Sequence, residues 1–153
     1  MHTPVVSTLW RVEINPQTGK IISNQQILDK HCEFPIVPQQ QVGQNSPSTY
    51  LSIQRPGVDT NKEIFGAIAR FEPKSDNLTI ADCGENRYPS EPIYVQDSEN
   101  PEQAWILTVV YDGNSDSSEV WVFDSDRLDD EPVCKLELPS VIPHSFHGTW
   151  KAS

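Results

Sequence analysis

Three landmarks recur along this 153-residue chain at nearly one spacing, and that recurrence restricts the folds open to it more than any single motif does. Glu33, in Cys32-Glu-Phe-Pro35, precedes Glu91, in Tyr88-Pro-Ser-Glu-Pro-Ile-Tyr94, by 58 residues (91−33), and Glu91 precedes His147 by 56 (147−91). Candidate hairpins recur at about the same interval. Thr8 to Ile14 turns through Asn15-Pro-Gln-Thr-Gly19 into Lys20 to Leu28, and Ile68 to Glu72 turns through Pro73 to Asn77 into Leu78 to Ile80. Val120 to Asp124 is followed, after an acidic loop, by Val133 to Leu138. The offsets are 59 from Arg11 to Arg70 (70−11) and 52 from Phe71 to Phe123 (123−71). Runs of β-branched and aromatic residues bounded by Pro, Gly, Asn and Asp are strand and turn signals. A period of about 50 residues with about four short strands per repeat is the pattern of propeller blades.

Further strands are expected at Tyr50 to Gln54, Ile64 to Phe71, Pro92 to Gln96 and Ala104 to Tyr111, and Trp105 to Val110 is apolar enough to be buried on both faces. No stretch of useful length has helical periodicity. The chain reads as one all-β, antiparallel domain over 1–153, a partial propeller of about two and a half repeats whose sheet edges need covering by further sequence or a partner.

Composition removes several functions. The formal charge of -11 is spread along the chain, which repels phosphate backbones and argues against a nucleic-acid partner. No apolar run is long enough to span a bilayer. Three cysteines, Cys32, Cys83 and Cys134, fit neither a paired framework nor CxxC spacing and indicate a reducing compartment. With no basic segment leading into an apolar one at Met1, the expectation is a cytoplasmic protein, and the Asn77-Leu-Thr79 sequon is incidental. Asp112 to Ser118 resembles the start of a calcium loop but lacks its glycine and closing glutamate, so it reads as a hairpin turn.

His147 lies between Phe146 and Gly148, where backbone can come close to a ligand. Two readings are open: a transition-metal ligand, or a histidine capping a terminal strand. Glu33 and Glu91, each close to a proline, could accept the far N–H of metal-binding imidazoles or be solvent-facing strand ends. His2, His31 and His144 are expected not to be ligands.

The ordered set Cys32-Glu-Phe-Pro35, Ile68-Ala-Arg-Phe71, Arg87 to Val95, Trp105 to Asp112, Val122-Phe-Asp124 and Leu138-Pro through Phe146-His-Gly148 resembles the C-terminal part of the carotenoid cleavage oxygenases. That family includes apocarotenoid and stilbene-cleaving dioxygenases and the retinal-pigment-epithelium isomerohydrolase. The resemblance implies a seven-bladed propeller holding a non-haem Fe(II) through four histidines, some backed by glutamates. His147 would be the last iron ligand, and Glu33 and Glu91 two of the backing glutamates; no residue of this chain is assigned as catalytic. The substrates implied are O2 and a carotenoid, apocarotenoid or stilbene, with the intact enzyme peripheral to membranes. The other three ligands and the apolar entry region have no counterpart here, so a complementary N-terminal chain is implied. The alternative is a truncated, non-catalytic fragment or interaction module whose edges recruit another chain.

Overall fold

The computed structural model describes residues 6–45, 47–59, 63–144 and 147–151. They form eleven strands, β1 (Leu9–Ile14), β2 (Ile21–Leu28), β3 (Cys32–Ile36), β4 (Thr49–Ile53), β5 (Ala67–Glu72), β6 (Asn77–Asp82), β7 (Arg87–Pro89), β8 (Ile93–Gln96), β9 (Ala104–Asp112), β10 (Ser117–Asp124) and β11 (Cys134–Glu137). One 3₁₀ turn, Gln39–Gln41, is the only helical element among the described residues.

All pairings are antiparallel and divide into three sheets. The middle sheet runs β3-β4-β5-β6. The last runs β11-β10-β9, with β7 and β8 sharing the far side of β9, Arg87 to Pro89 opposite Asp112 to Val110 and Ile93 to Gln96 opposite Leu107 to Ala104. β7 and β8 are therefore one first strand with a break in it. The first sheet is the β1-β2 hairpin alone. Two four-strand blades preceded by the outer hairpin of a third account for the sequence period: β1, β5 and β10 are successive copies of one strand, and so are β2, β6 and β11.

Two apolar layers hold the sheets in this order. Leu9, Cys32, Leu51, Ile53, Ala67, Ala69 and Phe71 fill the space between the hairpin and the middle sheet, joined by Ile27 and Leu28. Tyr50, Ile68, Ala81 and Cys83 meet Ile106, Val110, Trp121 and Phe123 between the middle and last sheets. Alternation along β4 and β5 explains this: successive side chains point to opposite faces, so a blade between two others needs apolar residues at every position. β4 is accordingly buried throughout. Polar ties cross the second layer, where Arg70 donates to the carbonyl of Ser125 at 2.6 Å.

Two expectations need correction. Trp105 to Val110 is not buried on both faces: Ile106, Thr108 and Val110 are sealed against the middle sheet, whereas Trp105, Leu107 and Val109 are half-buried. Among the described residues no further sheet lies on that side; the C-terminal segment passes there, with the backbone N–H of Ile142 donating to the hydroxyl of Ser118. The strands β3 and β7 were not expected either. Both contain a proline, which removes a ladder donor and interrupts the apolar pattern, and both lie at a sheet edge where that loss is tolerated.

The Asp112 to Ser118 stretch is a hairpin turn, with Gly113 to Asp116 connecting β9 and β10. The three cysteines are free thiols, and burial pushes Cys32 up to about 11 and Cys83 up to about 12. No helix among the described residues is long and apolar enough to cross a membrane.

Candidate metal centre

The site is built on the two edge strands that open the blades. In each, the ladder is broken beside a proline and a glutamate sits at the break. In β3 the register slips between Glu33 and Ile36, and Phe34 adopts a left-handed backbone (φ 54°) immediately before Pro35. In the last sheet the break is Ser90-Glu91-Pro92, between β7 and β8.

The backbone at the second break is fixed by buried hydroxyls. Ser90 keeps one ladder bond, its N–H donating to the carbonyl of Val109 at 2.8 Å. Its own carbonyl accepts from Ser52 Oγ and Thr108 Oγ1, each at 3.0 Å. Ser52 and Thr108 are buried on facing sheets, so this carbonyl sits where water does not reach and its two donors come from different blades. Glu91 leaves the chain one residue beyond that clamp.

The Glu91 carboxylate holds the C-terminal segment at two points. Oε2 accepts from the backbone N–H of Gly148 at 2.8 Å, and Oε1 is 3.2 Å from Nδ1 of His147. An ionised carboxylate only accepts, so in the neutral ring the proton is on Nδ1 and the Nε2 lone pair is left over. The Glu91 side chain is 12% exposed and that of His147 is 76% exposed, so the imidazole stands out from the protein on a carboxylate set into it. Space at Gly148 is tight: a Cβ there would lie 3.2 Å from Cδ1 of Ile93, close enough that the isoleucine tip would have to shift. The Phe34 and His147 rings meet edge to face, centroids 5.8 Å apart and planes at 85°.

Glu33 lies beside that phenylalanine and pairs in register with Ser52, the residue that donates to Ser90. The neighbourhoods of Glu33, Glu91 and His147 thus join through Phe34 and Ser52. The Glu33 side chain is half-buried and, among the described residues, has no hydrogen-bond partner. The described residues contain no group of three or more His, Cys, Asp and Glu side chains arranged to hold a metal.

The other histidines are elsewhere. His31 Nδ1 accepts from the backbone N–H of Ser7 at 3.2 Å and its ring packs against Phe65 at 4.7 Å, tying the start of the first hairpin to the middle sheet. His144 borders a slot floored by the stacked Tyr88 and Tyr111 rings and roofed by Val141 to Pro143. His2 lies outside the described residues, as does Phe146. Sequence reasoning missed Phe34, Ser52, Ser90 and Thr108. The positive φ of Phe34 has no sequence signal; the available clue was its position next to Glu33, a candidate carboxylate for a metal-bound imidazole.

Several proteins are similar to this chain in sequence and in fold. The apocarotenoid-15,15'-oxygenase of Synechocystis is 27% identical over 144 residues, which cover 93% of this chain and 29% of the relative. The carotenoid 9,10(9',10')-cleavage dioxygenase 1 of Arabidopsis thaliana is 28% identical, over 92% of this chain and 28% of its own. The chain thus spans less than a third of the length of the curated relatives it matches. The crystal structure of cobalt-substituted Synechocystis apocarotenoid oxygenase superposes with a TM-score of 0.84 at 25% identity, covering 97% of this chain and 31% of that one. A chimera of apocarotenoid oxygenase and RPE65 gives the same TM-score at 23% identity. The fold is that of a partial β-propeller, and a relative with this fold accepts a metal. The match to the retinal pigment epithelial membrane protein (RPE65) family runs over residues 2–152, and the chain belongs to that family.

Proposed function

We propose that this chain is the C-terminal part of a non-haem Fe(II) carotenoid oxygenase, with His147 as one iron ligand and Glu91 and Glu33 as the carboxylates that orient imidazoles. The observation that carries the reading is the two-point hold of Glu91 on Gly148 N–H and His147 Nδ1. A carboxylate on the far ring nitrogen fixes the tautomer and raises the basicity of the nitrogen that faces a metal. Glu33, at the equivalent break of the preceding blade and with no partner of its own among the described residues, would do the same for an imidazole from outside them.

The donor set fits one ligand position. Ferrous iron stands low in the affinity order for nitrogen and oxygen donors, so one imidazole does not retain it against water. The remaining ligands have to come from residues beyond those described, whether in a longer chain or in a complementary one. Bound iron would supply the activation of O2 for scission of a conjugated C=C bond, giving two carbonyl products from a carotenoid or apocarotenoid. Within that scheme Glu91 keeps a proton at Nδ1, Gly148 fixes the carboxylate through its N–H, and the Ser90 clamp holds the glutamate in place.

Complementation tests this. The chain is co-expressed with the N-terminal part of a relative, and iron content and product formation are measured. His147→Ala is expected to abolish both, Glu91→Gln and Glu33→Gln to lower them on the order of 10–100-fold, and His144→Ala to leave them unchanged. Loss of iron in His144→Ala with retention in His147→Ala would overturn the ligand assignment.

A further inference from the structure

Phe34 combines two features that disfavour each other. Its backbone is left-handed (φ 54°), a region costly for a bulky side chain, and it precedes Pro35, which presses the residue before it toward extended conformations. Strain of this kind persists only where the surroundings over-determine it. Core burial does not explain it, because the ring is only half-buried. Among the described residues the ring meets Phe65, edge to face at 6.4 Å and 74°, and the His147 imidazole, at 5.8 Å and 85°. Phe65 is in turn packed on His31 at 4.7 Å.

The Glu91 carboxylate alone does not fix the imidazole. A single hydrogen bond to Nδ1 is lost when the exposed ring rotates about its side-chain bonds, and the carboxylate then no longer decides which nitrogen carries the proton. The His147 side chain is 76% exposed, so the described protein offers little else to stop it. An aromatic ring packed edge to face against the imidazole, the planes at nearly a right angle, blocks that rotation, and contact of this kind is attractive beyond its buried area.

Resting on the reading of His147 as a metal ligand, we propose that Phe34 is a positioning residue: the strained bulge of β3 packs its ring against the His147 imidazole and holds that ring on Glu91, so that Nε2 keeps one direction before any metal arrives. The left-handed backbone at Phe34 is what carries the side chain off the alternation of β3 and toward the C-terminal segment.

The test reads the ring directly. In the metal-free chain labelled with ¹⁵N-histidine, at about pH 8 where an ordinary histidine is neutral, imidazole ¹⁵N shifts report which nitrogen carries the proton. The wild-type chain is expected to have His147 mainly in the Nδ1–H form. Phe34→Leu keeps apolar bulk and removes the ring, and the ratio of Nδ1–H to Nε2–H at His147 should fall several-fold. Phe34→Tyr keeps the aromatic ring and should retain the ratio. Phe34→Gly relieves the positive φ while deleting the ring, so it preserves the bulge should the leucine variant unfold, and it should show the same loss. A wild-type ratio in folded Phe34→Leu or Phe34→Gly, or equal loss in Phe34→Tyr, overturns the proposal. This outcome is independent of metal binding, so failure of the ligand assignment in the complementation assay is distinguished from failure here.

Discussion

Ser52 reaches out of one blade to donate its hydroxyl to the carbonyl of Ser90 in the next, at 3.0 Å, and so joins the strand that pairs with Glu33 to the residue preceding Glu91. Thr108 donates to the same oxygen, so the carbonyl has two buried donors. Ser52→Ala should cost about 1 kcal/mol because Thr108 remains. Combining it with Thr108→Val leaves the acceptor unsatisfied and should add about 1–3 kcal/mol, more than the two single losses together. Denaturant unfolding of both singles and the double checks this; strict additivity would mean that the two hydroxyls act independently.

Gly148→Ala should loosen the C-terminal segment. The new methyl would press on Ile93 at 3.2 Å and push the backbone N–H away from Glu91. Trimming the opposing side chain with Ile93→Val should return part of the loss. The amide proton of residue 148 is the probe: its downfield shift from the charged acceptor should diminish in the single variant and recover in the double.

Acid should weaken the last sheet through Asp112. Burial works to raise this carboxyl, but the N–H of Asn114 and the guanidinium of Arg87, 2.7 Å away, outweigh it and hold the group below the ordinary aspartate range. A carboxyl depressed in the folded state contributes stability that is present above its unfolded value and lost as pH falls through the folded one. Asp112→Asn should therefore destabilise the chain at neutral pH by about 1.5–3 kcal/mol, the range for a hydrogen bond to a charged group. The gap to wild type should narrow steadily below about pH 4. Unfolding curves at several pH values measure it, and a gap independent of pH would contradict the assignment.

Thiol labelling should be ordered by burial. Cys32 and Cys83 are 5% and 2% exposed, and desolvation holds both as thiols far above neutral pH. Cys134 is half-buried on β11, the outermost strand of the last sheet. Brief alkylation of the native chain followed by peptide mass spectrometry should find Cys134 modified first, with Cys32 and Cys83 reacting only in denaturant. Early modification of Cys83 would mean that the layer between the two blades opens readily.

The outer hairpins were legible because each carries strong alternation and an explicit turn: in Asn15 to Gly19 the Asn15 side chain accepts from the N–H groups of Gln17 and Thr18. The period from Glu33 through Glu91 to His147 was legible because blades repeat in sequence as well as in space, and two of the three meet directly at Glu91 and His147. The inner strands were not, since Pro35 and Pro89 break the pattern by which strands are recognised. Nor was the machinery around the glutamates. Ser52, Ser90 and Thr108 look like ordinary strand residues until two sheets stack, and Phe34 looks like a core aromatic until its backbone turns left-handed.

Among the described residues the first hairpin is packed on one side only. Leu9, Ile27 and Leu28 hold it to the middle sheet, while Trp10, Val12, Ile14, Ile21 and Ile22 are exposed to between 46% and 65%. A two-stranded ribbon is marginal in water unless it packs on something, and cooperative units with few buried contacts open well below the global unfolding free energy. Amide protons in β1 and β2 should thus exchange with solvent by detachment of the ribbon alone, orders of magnitude faster than those of β4, β5 and β9. The joint about which it detaches runs through Ser7 and His31, and His31 reaches Phe34 through Phe65. Breathing of this ribbon would be transmitted as added ring motion to the histidine at the opposite end of the chain.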